Sequence, residues 1–500
     1  MSAYVDAKTL QQNAEKEYSA LEEKLKTSPL TAKDRNTLPQ QEMPCREPHE
    51  RAKQMEEVAL GYTKEQAIIE ANRCLQCKNQ PCVAGCPVAV PIPQFLAETA
   101  KGEFKKAVDI IKTTNLLPAI CGRVCPQEKQ CQAQCTVGKI FKDVERSVSI
   151  GRLERFVADF ERENNLQTPP APAADTGKKV AVVGSGPAGL TVAADVRRAG
   201  HRVTVFEAFH KEGGVMVYGI PEFRLPKSIV AAEVAMLEKM GVEFRTNFLV
   251  GRTGTLPQLL KEQGFDAAFV GTGAGLPKFM NIPGENLIGV FSANEYLTRA
   301  NLMKAYDTAH ADTPLYEAKQ VCVAGGGNVA MDAARMALRL GAEKVSIIYR
   351  RTRNEMPARR EEVAHAEEEG VIFRFLENPV EALGDEEGRI KALRLLSYEL
   401  GEPDASGRRS PVAIKGSEHE IPCDALIVAL GNGSNPLMEK TTPGLEADAK
   451  GHIKTDEEGK TSYPAVWAGG DIVLGAATVI LAMGEGRKAA ASINRYLASL

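Results

Sequence analysis

The chain has 500 residues, 43% hydrophobic and 25% charged, enough apolar material for several cores and a length of roughly three domains. Its 62 basic and 65 acidic residues leave a net charge of -3, which argues against a nucleic-acid partner. No stretch is long and apolar enough to span a bilayer, and the polar start from Met1 to Lys8 lacks a signal peptide's apolar core. A cytoplasmic protein without a membrane partner is therefore expected.

Residues 1 to about 60 are polar and helix-prone, without a strong apolar face. Thr63-Lys64-Glu65-Gln66 reads as a capping box that opens a helix running into Cys74. Phe95, Phe104, Val108 and Ile111 predict a helix over 94–112, and Ile150, Leu153, Val157 and Phe160 predict another over 150–163. Eight of the 11 cysteines lie between Cys74 and Cys135. They run Cys74-x2-Cys77-x4-Cys82-x3-Cys86-Pro87, then Cys121-x3-Cys125-Pro126, Cys131 and Cys135. Clustered thiols in a large chain without an export signal point to metal, and the cysteine–proline ending is similar to bacterial ferredoxins. Eight thiolates suffice for two [4Fe–4S] clusters, with Cys121 as the eighth ligand; structural zinc is the competing reading. Cys45, Cys322 and Cys423 stand alone as ordinary thiols.

Thr168 to Gly177 is a Pro- and Ala-rich linker, after which short Val- and Ile-rich strands alternate with helices in the manner of a doubly wound α/β fold. Lys179 to Leu190 reads as strand, turn, helix, with Gly184, Gly186 and Gly189 in a G-x-G-x-x-G pattern. The glycines allow a tight turn, close approach of a pyrophosphate and close packing of the helix; Glu207, ending the next strand, would accept from a ribose diol. Gly214 is a further binding candidate for this site. A second such unit starts at Gln320, with Gly325, Gly327, Asn328, Val329 and Ala330 forming its turn. Here Arg350 and Arg351 stand where the first site has its acid. A guanidinium binds a 2′-phosphate that a carboxylate would repel, so NADPH is expected. Arg359 and Arg360 are available to add charge there. Phe265 to Gly275 is echoed by Cys423 to Gly433, as expected of two similar nucleotide-binding domains. Asp471, followed by a small-residue helix near Thr478, resembles the second FAD fingerprint of two-dinucleotide-domain flavoproteins. Asp471 would hold the ribityl chain, and the helix N-terminus would favour negative charge on the flavin ring.

Several motifs together carry a family resemblance: Asn72-Arg-Cys-Leu-Gln-Cys77, Cys121-Gly-Arg-Val-Cys-Pro-Gln127, Ser149-Ile-Gly-Arg-Leu-Glu-Arg155, Val217-Tyr-Gly-Ile-Pro-Glu222, and Tyr349-Arg-Arg351 leading to Met356-Pro-Ala-Arg359. From about residue 45 to its end the chain resembles the small (β) subunit family of NADPH-dependent glutamate synthase. It is also similar to the large subunit of electron-bifurcating NADH-dependent ferredoxin:NADP⁺ oxidoreductase and to the N-terminal half of dihydropyrimidine dehydrogenase. The resemblance implies that Cys74, Cys77, Cys82 and Cys135 hold one cluster. It assigns Cys86, Cys125, Cys131 and Glu154 to the other, leaving Cys121 as a bystander, in conflict with the count of eight thiolates. It further implies that the NADPH domain is inserted into the FAD domain.

The expected organisation is a helical iron–sulfur domain over 1–170, two parts of a Rossmann-like FAD domain over 171–290 and 436–500, and a Rossmann-like NADPH domain over 291–435. The expected function is hydride transfer from NADPH to FAD and onward electron transfer through two [4Fe–4S] clusters, with no acid–base catalyst among the side chains. The resemblance implies an oligomer in which a glutamate synthase large subunit accepts the electrons. The alternatives are a bifurcating complex with a ferredoxin and a small flavoprotein subunit, or a zinc-stabilised, non-catalytic flavoprotein scaffold.

Overall fold

The computed structural model describes residues 4–403 and 407–500, so Met1 to Ala3 of the polar start lie outside the described residues. The helix Ala7–Thr27 is capped by Asp6, which accepts from the Thr9 amide at 3.0 Å, and it buries only Ala14 and Leu21. The predicted capping box is present. The Gln66 amide donates to Thr63 Oγ1 at 3.3 Å, and the Thr63 amide donates to Gln66 Oε1 at 3.1 Å. The helix that follows, Lys64–Asn72, is buried from Gln66 onward and forms the centre of the first domain.

The single helix expected over 94–112 is two, Ile92–Ala100 and Phe104–Lys112. Gly102 takes φ +80° between them. Its amide donates to Thr99 and that of Glu103 to Glu98, the paired hydrogen bonds that end a helix on a left-handed glycine. The break lets both apolar faces reach one core. Phe104 is buried edge-on against Phe156 and Phe160, with ring centroids at 4.9 and 5.1 Å. Both aromatics belong to the helix Ile150–Glu163, which has the predicted bounds. The end of the linker is anchored: Ala173 donates to Arg198 O and Thr176 to Gly200 O.

Sixteen strands follow among the described residues: β1 (Lys179–Val183), β2 (Arg202–Phe206), β3 (Glu243–Arg245), β4 (Ala267–Val270), β5 (Leu276–Pro277), β6 (Val290–Ser292), β7 (Gln320–Ala324), β8 (Lys344–Tyr349), β9 (Ile372–Phe375), β10 (Glu377–Gly384), β11 (Ile390–Pro403), β12 (Arg409–Ala413), β13 (His419–Pro422), β14 (Ala425–Val428), β15 (Asn432–Gly433) and β16 (Val466–Ala468). Two parallel five-stranded sheets have matching layouts, β16-β4-β1-β2-β3 and β6-β14-β7-β8-β9. β4 and β14 are the strands of the internal echo, each beside a strand that leads into a glycine turn. The central strands are buried along most of their length, as parallel strands covered on both faces must be.

β5 pairs with β15 where the chain leaves the first sheet and returns to it. The second sheet and its helices are thus inserted between β4 and β16. Strands β10 to β13 form a separate antiparallel sheet that sequence reading did not separate from the nicotinamide domain. The alternation Leu393–Arg394–Leu395 in β11, with both leucines buried, was its signal.

Buried ion pairs lock the parts together. Arg51, 1% exposed, reaches Glu368 at 2.6 Å and Glu369 at 3.0 Å. Glu369 also holds Arg335 at 2.8 Å and Arg339 at 2.7 Å, and both guanidiniums lie over the Phe223 ring. Arg224 reaches Asp332 at 2.7 Å and Glu362 at 2.9 Å.

Candidate functional site

At the end of β1, Gly184 has φ +98°, and a Cβ on Gly189 would sit 2.0 Å from the Gly184 carbonyl oxygen. Around Gly186 there is open space. The helix Pro187–Arg198 begins there without a side-chain cap, so its first amides face that space. Glu207 is buried beside the turn: the Ser185 amide donates to it at 3.0 Å and the Phe209 amide at 2.9 Å. Gly214, with φ +56°, brings its own turn onto Gly186, where a Cβ would come within 2.8 Å of Cα. The helix Val479–Ala498 crosses the same region closely enough that a Cβ on Gly486 would lie 2.7 Å from Ala188 O. Asp471 and Thr478, just before that helix, are thereby carried to the glycine turn. Asp471 accepts from the Ala477 amide at 3.2 Å, and burial lifts its carboxyl to about 6. Thr478 caps the helix through the Leu481 amide at 3.3 Å.

The second turn repeats the first. Gly325 has φ +149°, and Gly327 precedes an uncapped helix, Asn328–Arg339. Val329 is exposed at the start of that helix, and Ala330 is buried in the position of the third glycine. Of the two arginines at the end of β8, Arg350 is exposed while Arg351 is buried and donates to Arg409 O at 2.7 Å. The pair therefore diverges, and Arg350 alone lies on the surface. Arg360 pairs with Glu145 at 2.9 Å, and Arg359 turns away from the nucleotide turn into the cysteine domain.

The cysteines fall into two groups. Cys74 is in electrostatic reach of Cys135 and Cys77, and Cys82 of Cys74 and Cys135; burial pushes these thiols up, Cys74 to about 11 and Cys82 to about 12. The second group surrounds a cavity lined by Cys86, Cys121, Cys125, Cys131 and Glu154. Glu154 is not a surface carboxylate. It is 8% exposed, and one oxygen accepts from Asn115 Nδ2 at 2.6 Å. Cys121 also faces the cavity, but its sulfur is engaged by Asn115 Oδ1 at 3.6 Å and Met483 Sδ at 3.8 Å. Burial lifts the Glu154 carboxyl to about 8 and the Cys86 thiol to about 11, a desolvation that bound metal in the cavity would relieve. Among the described residues no three His, Cys, Asp or Glu side chains are arranged to hold a single metal ion.

This cavity adjoins the start of the helix Val479–Ala498. Ile480 lines it, and Gln130, next to Cys131, donates to Thr478 Oγ1 at 3.4 Å. Sequence reading missed Asn115 and Gln127, both in the cavity wall. Asn115 left no local signal; for the packing of these helices, and for Gln127, the signals were two glycines inside helices. A Cβ on Gly122 would come within 2.5 Å of the Arg155 amide nitrogen, and one on Gly151 within 2.1 Å of Gln127 Nε2.

The model of a family described as dihydropyrimidine dehydrogenase domain II, 4Fe–4S cluster, matches residues 51–166, and that of the pyridine nucleotide-disulphide oxidoreductases matches 178–486. FprA of Mycobacterium tuberculosis, solved in complex with NADPH, is 21% identical with a TM-score of 0.54, covering 64% of this chain and 85% of that one, and shares the fold. Fold and site together define an FAD- and NADP-dependent iron–sulfur oxidoreductase. Glutamate synthase [NADPH] small chain of Halomonas elongata is 39% identical over 452 residues, 89% of this chain and 94% of that one. An NADP(+)-dependent formate dehydrogenase subunit beta of Moorella thermoacetica is 39% identical over 441 residues, 83% of this chain and 60% of that one. The chain belongs to the glutamate synthase small-chain family. Among the described residues no helix is long and apolar enough to cross a membrane.

Proposed function

We propose that this chain is the NADPH-oxidising subunit of a cytoplasmic glutamate synthase, taking electrons from NADPH and delivering them through two [4Fe–4S] clusters to a large subunit. When bound, FAD supplies hydride acceptance from NADPH and release of electrons one at a time. The chain's own residues provide binding and placement. The turn at Gly184, Gly186, Gly189 and Gly214, with Glu207, receives the FAD pyrophosphate and ribose; Asp471 and Thr478 close over the flavin end. Gly325, Gly327, Asn328 and Val329 receive NADPH, with Arg350 on its 2′-phosphate. Arg351 supports the same strand end from inside. Cys74, Cys77, Cys82 and Cys135 hold one cluster, and Cys86, Cys125, Cys131 and Glu154 hold the other.

The observation that carries this reading is the contact between the second cysteine cavity and the helix starting at Thr478. Ile480 and the Gln130–Thr478 hydrogen bond join the cavity assigned to a cluster to the start of the helix assigned to the flavin, which supports a short path between them. Anaerobic titration of the loaded protein with NADPH tests it: flavin bleaching followed by loss of cluster absorbance supports the relay, and clusters that stay oxidised refute it. Copurification identifies the partner. A very large glutaminase-bearing subunit supports glutamate synthesis, whereas a small FAD/[2Fe–2S] subunit would assign the chain to electron bifurcation.

A further inference from the structure

We propose that Arg359 couples occupancy of the NADPH site to the reduction potential of the cluster held by Cys86, Cys125, Cys131 and Glu154. The inference rests on the cluster and nucleotide assignments above and adds a link between them.

The backbone of Arg359 belongs to the nucleotide turn. The Ala358 amide donates to Gly326 O at 3.2 Å, and the Arg359 amide donates to Asn328 Oδ1 at 2.8 Å. Asn328 is the first residue of the helix whose amides face the dinucleotide phosphates. The side chain runs the other way, into the iron–sulfur domain, where the residue is 6% exposed. Its Nη1 donates to Arg123 O at 3.2 Å and its Nη2 to Gln127 Oε1 at 2.9 Å. Arg123 and Gln127 stand two residues on either side of Cys125. Gln127 lines the cysteine cavity, and its amide donates to Cys121 O at 3.4 Å. Lys129 Nζ fastens the same junction by donating to Pro357 O at 2.7 Å.

The charge on this guanidinium is shared with Glu361 at 3.1 Å and Glu128 at 3.5 Å. Its neighbour Arg123 is itself paired with Glu57 and Asp159, and Glu361 is also reached by Arg152. Even so, its two hydrogen bonds keep the guanidinium beside the segment Arg123–Gln127 that carries Cys125. Reducing a cluster adds one negative charge, so a buried cation beside a ligand raises its potential. A dinucleotide brings phosphate anions to Gly326 and Asn328, at the other end of the same residue. Bound NADP⁺ therefore lowers the cluster's midpoint potential, and by reciprocity cluster reduction weakens NADP⁺ binding, by about fivefold or more. Product would leave more readily once its electrons have moved on.

The test is an EPR-monitored redox titration of the anoxic protein carrying FAD and both clusters, with and without saturating NADP⁺. In the wild type the midpoint of this cluster falls when NADP⁺ is present. In Arg359→Gln the midpoint is lower from the start and NADP⁺ no longer moves it. Arg359→Lys keeps the charge without the fork and retains a partial shift. A wild-type midpoint unmoved by NADP⁺ overturns the inference on its own, even if Arg359→Gln fails to assemble. An iron-replete Arg359→Gln that titrates like the wild type overturns it equally. A wild-type protein lacking the cluster signal would instead refute the cluster assignment.

Discussion

Glu154 is aimed by a neighbour 39 positions away in sequence. Asn115 is fully buried, gives its amide hydrogen to Glu154 Oε1, and accepts the Leu117 amide at 3.0 Å on its other side. Asn115→Ala is expected to weaken iron retention by the second cluster by about 10–100-fold, the usual cost of removing a ligand's hydrogen-bond partner. Iron content after chelator challenge checks it, and the Cys74 cluster serves as the internal control. At the nucleotide site, Arg350→Ser removes one charged hydrogen-bonding group, worth about 1.5–3 kcal/mol. The NADPH dissociation constant is expected to rise about 10–100-fold while that for NADH barely changes, measured by equilibrium binding to the oxidised protein. The glycine turns and the cysteine runs were legible because their chemistry is written in adjacent residues. Asn115 and Arg359 were not, because each acts across a tertiary contact that no local pattern encodes. The divergence of Arg350 and Arg351 needed the β12 backbone, where Arg409 accepts the buried guanidinium.

Glycine sets how closely the helices of the first domain approach. The helices Pro118–Val124 and Ile150–Glu163 cross at Gly122, where backbone meets backbone. Gly122→Ala is expected to destabilise by about 1–3 kcal/mol, because a methyl there meets the Arg155 amide rather than a yielding side chain. A thermal melt of the loaded protein reads this out. The helix Lys227–Lys239 carries Glu233, which faces the charged groups Lys112, Glu161 and Arg162, and burial lifts its carboxyl to about 7. Its folded value lies above the unfolded one, so its contribution is fully favourable below about pH 4.5 and is lost as pH rises through 7. The loss is on the order of 3 kcal/mol. Glu233→Gln is expected to flatten that part of the stability–pH curve and to raise stability at pH 8, measured by denaturant unfolding. At this scale the alternating α/β pattern and the Thr63 cap were readable from sequence. The split at Gly102 had a signal in the spacing: Phe104, Val108 and Ile111 share one helical face, but Phe95, nine residues before Phe104, would fall on the opposite face of a continuous helix. Sheet β10–β13 was hidden inside a domain defined by its glycine turn.

Across the molecule, Arg51 joins the N-terminal region to the nicotinamide lobe through Glu368 and Glu369. Arg51→Met is expected to cost about 2 kcal/mol, since Glu369 keeps Arg335 and Arg339 but loses a charged partner. Hydrogen exchange should quicken over 360–368 and stay unchanged in β1 and β4; equal protection throughout would contradict the locking role. The pairing of β16 with β4 has a further consequence, for biosynthesis. The second Rossmann sheet is complete at Val428, so it can close on the ribosome while later segments are made. The first Rossmann sheet must wait for Val466–Ala468, and the wall of the Glu154 cavity waits for Ile480. Flavin capture is thereby deferred until both segments have been made, after the nucleotide-binding insert between β4 and β16 is complete.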